Sequence, residues 1–151
     1  MKTVYFIYLI SIANGIVLDI TKYYVDLFIS LKPYRQVVMN EATEKGYPVI
    51  RPMFFEFERD EAWVFDQFMV GSDILVAPIL DSNPKRSVWL FGPETWVHIW
   101  TGEEYNVQDQ LKVVLEAPFA FIRKQARSSP QLSAFTAKIK EIIMNDINIK
   151  V

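Results

Sequence analysis

Between Thr21 and Lys45 apolar residues return at steps of three and four: Tyr24, Leu27, Phe28, Leu31, Tyr34, Val38 and Ala42. That spacing lays one stripe along a helix. Thr21 is placed to cap its start and Gly46 to stop it. Pro33 falls inside the pattern and must kink or divide it, because it lacks the N–H that an interior turn donates. Arg35, Glu41, Glu44 and Lys45 supply a wet face for the later part. After Gly46 the period changes. Tyr47 to Phe57 is apolar enough to read as a strand buried on both faces, closed by the charged run Glu58-Arg59-Asp60-Glu61. A short aromatic segment, Trp63 to Val70, ends at Gly71.

Strands dominate downstream. Asp73 to Leu80 is followed by the turn cluster Asp81-Ser82-Asn83-Pro84. Ser87 to Phe91 is a second strand, turned by Gly92-Pro93, and Trp96 to Trp100 a third, turned by Thr101-Gly102-Glu103-Glu104. Leu111 to Glu116 is a fourth and Phe119 to Arg123 a fifth. Short strands at this spacing point to an antiparallel sandwich rather than to βαβ units. Ser128-Ser129-Pro130 then punctuates, and Leu132, Phe135, Ile139, Ile142 and Ile143 pattern an amphipathic helix to Asn145. The order helix, buried strand, sandwich, helix is odd for a self-contained domain, since a buried strand after a long helix calls for a parallel sheet around it.

The amino-terminal residues read two ways. Lys2, the apolar run Val4 to Ala13 and the small residues Ser11 and Ala13 have the character of a minimal secretory signal. The same residues equally suit a buried strand or helix, and the apolar character runs on through Ile16-Val17-Leu18. A helix that crosses a membrane needs about 20 apolar residues, so this run is too short to span. The compartment stays open between export through this segment and the cytoplasm.

Composition narrows the chemistry. The 151 residues are 51% hydrophobic and 15% aromatic, with 16 Lys and Arg against 18 Asp and Glu. A net charge of −2 offers no basic excess to neutralise a phosphate backbone, so nucleic acid is not an expected partner. Without cysteine, and with His98 as the single histidine, thiolate chemistry, disulfides and His or Cys metal sites are not expected. No cofactor is implied.

Three constellations remain. Trp96, His98 and Trp100 alternate with Val97 and Ile99, which on a strand puts the two indoles and the imidazole on one face. That face could stack a sugar ring, or it could be ordinary cross-strand packing. Glu56 and Glu58 alternate with Phe55 and Phe57; paired carboxylates serve glycoside hydrolysis at about 5–5.5 Å, but a solvated or ion-paired strand end is the plainer reading. Asp66 and Asp73 flank Gly71 and fit turn and cap roles better than calcium ligation.

Several linked motifs carry a resemblance. Leu31-Lys32-Pro33-Tyr34, Glu41-Ala42 and Gly46 through Phe57 resemble the last helix and last strand of the barrel in glycoside hydrolase family 31, which contains α-glucosidases and α-xylosidases. Asp66-Gln67-Phe68-Met69-Val70-Gly71-Ser72-Asp73 through Leu80 resembles the entry into that family's proximal C-terminal β-sandwich. Glu94-Thr95-Trp96 through Trp100-Thr101-Gly102-Glu103-Glu104-Tyr105 is similar to the hairpin that follows. The likeness covers about residues 21 to 125. It implies an α+β chain: residues 1–20 an apolar segment, 21–70 the end of a (β/α)8 barrel, 71–125 the sandwich, and 126–151 an unassigned helical tail.

The resemblance also implies a retaining α-glycosidase mechanism with two aspartates, both on barrel segments that precede this stretch. A barrel alone takes about 250 residues, so no catalytic residue is assigned here, and the chain alone is not expected to hydrolyse glycosides. Its expected partner is carbohydrate, through the whole enzyme; the alternative is a stand-alone sandwich that binds sugar or protein, with Trp96, His98 and Trp100 as the contact. Phe28 stands where the family usually places an arginine. Phe119-Ala120-Phe121-Ile122-Arg123 follows Ala117-Pro118 sooner than the family pattern does, as after a short deletion before the closing strand. Truncation of the likeness at both ends suggests a gene remnant, an incomplete gene or an isolated fragment. An orphaned barrel end should leave Met53, Phe54, Phe55 and the Tyr24/Leu27/Leu31 face bare and drive self-association.

Overall fold

The computed structural model describes residues 21–22, 24–59, 62–83, 85–116 and 120–144; the candidate signal in residues 1–20 and the Ala117–Phe119 junction lie outside them. Residues 24–30 are helical, the helix breaks at Leu31, and α1 runs Lys32–Lys45 with proline in its first turn. Pro33 thus divides the predicted helix, at the position where its missing N–H costs nothing. Thr21, expected as the cap, is itself helical. Gly46 ends α1 at φ 72° and donates its N–H to Ala42 O at 3.1 Å, the left-handed stop that glycine allows.

The strands are β1 Ile50–Pro52, β2 Phe68–Val70, β3 Ile74–Val76, β4 Lys85–Phe91, β5 Glu94–His98, β6 Glu104–Val107, β7 Gln110–Glu116 and β8 Ala120–Arg123, followed by helix α2 at Pro130–Met144. Six of them form one antiparallel sheet in the order β1-β2-β3-β8-β5-β6, and β4 pairs with β7 as a separate two-stranded ribbon. The closing strand is formed: β8 sits between β3 and β5, with Val97 opposite Ile122 and Leu75 opposite Phe121.

Period-two alternation then sorts the side chains into two cores. On one face Met69, Leu75, Trp96 and Phe121 pack against Val88, Leu90 and Phe91 of the ribbon, joined by Met53 and Phe57. On the other, Ile74, Val97 and Ile122 pack against Tyr34 and Val38 of α1 and Leu132, Phe135 and Ile139 of α2. The result is three layers: ribbon, sheet, helices. Gln67, only 2% exposed, joins ribbon to sheet as a strand would. Its Nε2 donates to Trp89 O at 2.7 Å and its Oε1 accepts from Trp89 N at 2.8 Å.

The stretch from Tyr47 to Phe57 departs from expectation. Only Ile50–Pro52 is extended; Met53–Glu56 is one helical turn, closed by Phe57 N–H to Met53 O at 3.0 Å. Pro52 has no N–H to continue a ladder and adopts φ −57°, ψ 151° as the turn's first flank. Because β1 is an edge strand, its burial is reversed: Ile50 is 60% exposed and Arg51 is buried. The bare barrel-end surface is also different from the expected one. Met53 is fully buried, Phe54 packs on the ribbon-side core, and Leu27 and Leu31 pack on the helix-side core. Tyr24, Val25, Phe28, Ile29 and Phe55 are the exposed ones, with the Arg35 guanidinium 3.5 Å from the Phe28 ring centre.

Candidate functional site

Trp96, His98 and Trp100 do not share a face. β5 ends at His98, and residues 99–101 turn, with Gly102 (φ 74°) donating its N–H to His98 O at 2.9 Å. Alternation lapses there, and Trp100 packs on the helix side while Trp96 lies on the ribbon side. Trp96 has no exposed surface, donates Nε1–H to Phe91 O at 2.8 Å and lies 6.4 Å from the Phe57 ring. His98, 4% exposed, meets Phe121 edge-on at 5.1 Å and holds Nδ1 2.8 Å from Thr101 Oγ1. Neither ring offers a face to a sugar; both are core. The sheet is covered on both sides, which alternation alone does not reveal.

The carboxylates are engaged as structural groups. Glu56 is on the helical turn rather than a strand, and Glu58 is exposed. Buried Arg51 gathers three elements: Nη1 to Glu56 Oε1 at 2.5 Å, Nη2 to Glu41 Oε2 at 2.7 Å, and Nε to Pro48 O at 2.9 Å. Arg123 of β8 extends the chain of charges, 4.0 Å from Glu56 Oε2 and 3.0 Å from Glu94 Oε1. Burial works against the charge of Arg51, but the Glu56 and Glu41 carboxylates more than offset it and hold its pKa above the ordinary value. The hydrogen bond from Arg51, aided by Lys45, draws the Glu41 carboxyl below the usual range against the opposing effect of burial. A buried pair of this kind needs each partner, since removing one strands a charge.

A second junction locks α1 to the β2–β3 hairpin. Tyr34 Oη donates to Val70 O at 2.9 Å and accepts from Asp73 N at 3.0 Å. Burial, then the nearby Asp73 charge, push the Tyr34 phenol well above its ordinary pKa, and burial raises that of Asp73. Gly71, at φ 59°, passes so close that a Cβ would lie 2.5 Å from Tyr34 Oη and 2.6 Å from Val38 Cγ2. Asp66 takes no part in this turn; it pairs with Arg86 at 2.5 Å. Among the described residues no three His, Asp or Glu side chains converge to hold a metal.

Tyr34, Glu41, Arg51, Gln67 and Arg123 are thus the organising polar residues; periodicity put Tyr34 in an apolar stripe and Glu41 on a wet face, but gave none of the five its partner. Arg51 carried one signal: a lone cation inside an apolar run must find paired carboxylates. Glu41, placed on a wet face by helical phase, reaches back to meet it.

What these junctions belong to is decided by comparison. The signature of the glycosyl hydrolase family 31 C-terminal domain matches residues 46–129. The chain belongs to glycoside hydrolase family 31. Alpha-glucosidase 2 of Bacillus thermoamyloliquefaciens is 41% identical over 86 residues, 56% of this chain and 11% of that protein. Sulfoquinovosidase of Escherichia coli is 36% identical over 121 residues, 77% of this chain and 17% of that protein. A family 31 α-xylosidase from a soil metagenome, solved with xylose, superposes at TM-score 0.64 with 36% identity, over 73% of this chain and 17% of its own. A sulfoquinovosidase from E. rectale superposes at 0.66 with 30% identity, over 79% and 18%. This family 31 chain therefore spans less than a fifth of the length of those relatives. No helix among its described residues is long and apolar enough to cross a membrane.

Proposed function

We propose that the chain is the structural C-terminal part of an α-glycosidase of the α-glucosidase, α-xylosidase or sulfoquinovosidase kind, and that alone it does not hydrolyse glycosides. In this reading residues 21–70 are the end of the barrel and 71–125 the proximal sandwich, with residues 126–151 as a tail. The observation that carries it is the engagement of the carboxylates: Glu41 and Glu56 are bound to Arg51, Glu94 to Arg123, and Asp66 to Arg86. Retaining hydrolysis needs two carboxylates about 5–5.5 Å apart across a bond that can enter between them. The Arg51 and Tyr34 junctions serve instead to hold the barrel-end helix and strand to the sandwich. Exposed Tyr24, Val25, Phe28 and Ile29 make the isolated chain self-associate.

The test is hydrolysis of aryl α-glucoside, α-xyloside and α-sulfoquinovoside by the purified chain against a heat-killed control. No release of aglycone is expected, and any turnover above the control overturns the inactive reading. A monomer in size-exclusion chromatography at high concentration overturns the self-association.

A further inference from the structure

Between the sheet and α2 lies a cavity of about 120 Å³. Its apolar wall is Val97, Ile99 and Ile122 from the sheet and Phe135 and Ile139 from α2. At its rim stand Arg127, Thr136 and Lys140, which also line an adjoining open cleft of about 590 Å³. The cleft's other charges, Lys124 and Glu104, neutralise one another at 2.8 Å. The side chains of Arg127, half-buried, and Lys140, exposed, have no ion-pair or hydrogen-bond partner among the described residues. Two cations without a partner among the described residues therefore overlook an apolar hole, whereas the cleft's remaining charges, Lys124 and Glu104, are paired with one another.

We infer that this site binds a small carboxylate with a short alkyl tail, the carboxylate between Arg127 and Lys140 and the tail among Val97, Ile122, Phe135 and Ile139. Charge sets the head group, because a half-buried guanidinium gains most from a charge-assisted bond to a carboxylate. Volume sets the tail. A cavity of ~150 Å³ accepts the six carbons of benzene, so about 120 Å³ suits roughly four or five. Thr136 stands on the same rim but donates its hydroxyl proton to Ser133 O at 3.0 Å, which leaves the head group to the two cations. Neither cleft contributes to the junctions described above, so the inference stands apart from the proposed role of the chain.

Calorimetric titration of the full chain with sodium pentanoate tests it, with acetate, sulfate and pentylamine as comparators. Each buried methylene is worth about fourfold in affinity, so pentanoate should bind roughly fifty-fold more tightly than acetate, and pentylamine should give no heat. Arg127→Gln should weaken pentanoate about tenfold or more, and Lys140→Gln should also weaken it. Neither change removes an ion pair or side-chain hydrogen bond among the described residues, so melting temperatures should stay near the parent value; Lys140→Gln, at an exposed position, keeps the test open if Arg127→Gln misfolds. Equal binding of acetate or sulfate reduces the site to an adventitious anion and overturns the inference. So does equal binding of pentylamine, absence of pentanoate binding at millimolar concentration, or pentanoate binding that neither substitution changes.

Discussion

The two faces of the central sheet are covered in different ways. The ribbon side is rich in aromatic rings, Phe57, Phe91, Trp96 and Phe121 among them, and is tied by directional bonds such as Gln67 to Trp89 and Trp96 to Phe91. The helix side is mainly aliphatic, and Tyr34 is its hydrogen-bonded tether to the hairpin. Among the described residues, every member of the ribbon-side core falls inside the family signature at 46–129, whereas the helices that cover the other side, α1 at Lys32–Lys45 and α2 at Pro130–Met144, fall before and after it. The sandwich is thus closed by its own residues on one face and by flanking segments on the other. Geometry is specified where bonds are directional; the helix side depends mostly on area removed from water.

That contrast can be broken most forcefully by ending the chain after Ser129. Leu132, Phe135 and Ile139 would be lost, each buried side chain worth about 1.5–3 kcal/mol, and Val97, Ile99 and Ile122 laid bare. A large fall in melting temperature with new binding of a hydrophobic dye is expected; an unchanged melt would mean that the helix side contributes nothing. Trp96→Ala attacks the other face and should cost about 3–5 kcal/mol by denaturant unfolding, with loss of near-ultraviolet aromatic signal. Tyr34→Phe keeps the ring but strands Val70 O and Asp73 N–H, at about 1–3 kcal/mol. A melt within error of the parent would show that water replaces the hydroxyl.

The smallest effect concerns acid. The Glu41 carboxyl titrates below its ordinary 4.5 in the folded chain, so the folded state binds fewer protons than the unfolded one near that pH. Its contribution is present above 4.5 and lost as pH falls through the lower folded value. Glu41→Gln should therefore flatten the acid limb of stability against pH, and an identical limb would refute the pairing with Arg51. Asp73, raised by burial, acts in the opposite sense and partly masks the effect in the parent.

Much of the layering was legible in the chain. β3, β4, β5, β7 and β8 fall in segments that alternation and turn residues marked, whereas β2 and β6 do not; α2 followed from its apolar stripe and the break at Pro33 from a missing donor. The linked motifs from Leu31 to Tyr105 carry the family's pattern in the sequence alone. The misreadings share a cause. Trp96, His98 and Trp100 alternate in sequence, but the strand stops at His98 and the turn rotates Trp100 away. Tyr47 to Phe57 has the apolar content of a central strand, but Pro52 ends the ladder and β1 is an edge. Where a strand stops, and which strand is outermost, depend on partners distant in sequence that local pattern does not encode. The Arg51 contacts with Glu41 and Glu56 are of the same kind, fixed only when helix, strand and turn come together.

Gly71 carries a consequence for how variation can be tolerated. The space its side chain would need is taken by the hydroxyl of Tyr34 and a methyl of Val38. To selection, positions 34, 38 and 71 are therefore one locus spread over a helix and a hairpin: a change at any of them alters which changes the other two can accept. Scans of single substitutions would score all three as intolerant and miss that dependence, which only paired changes expose.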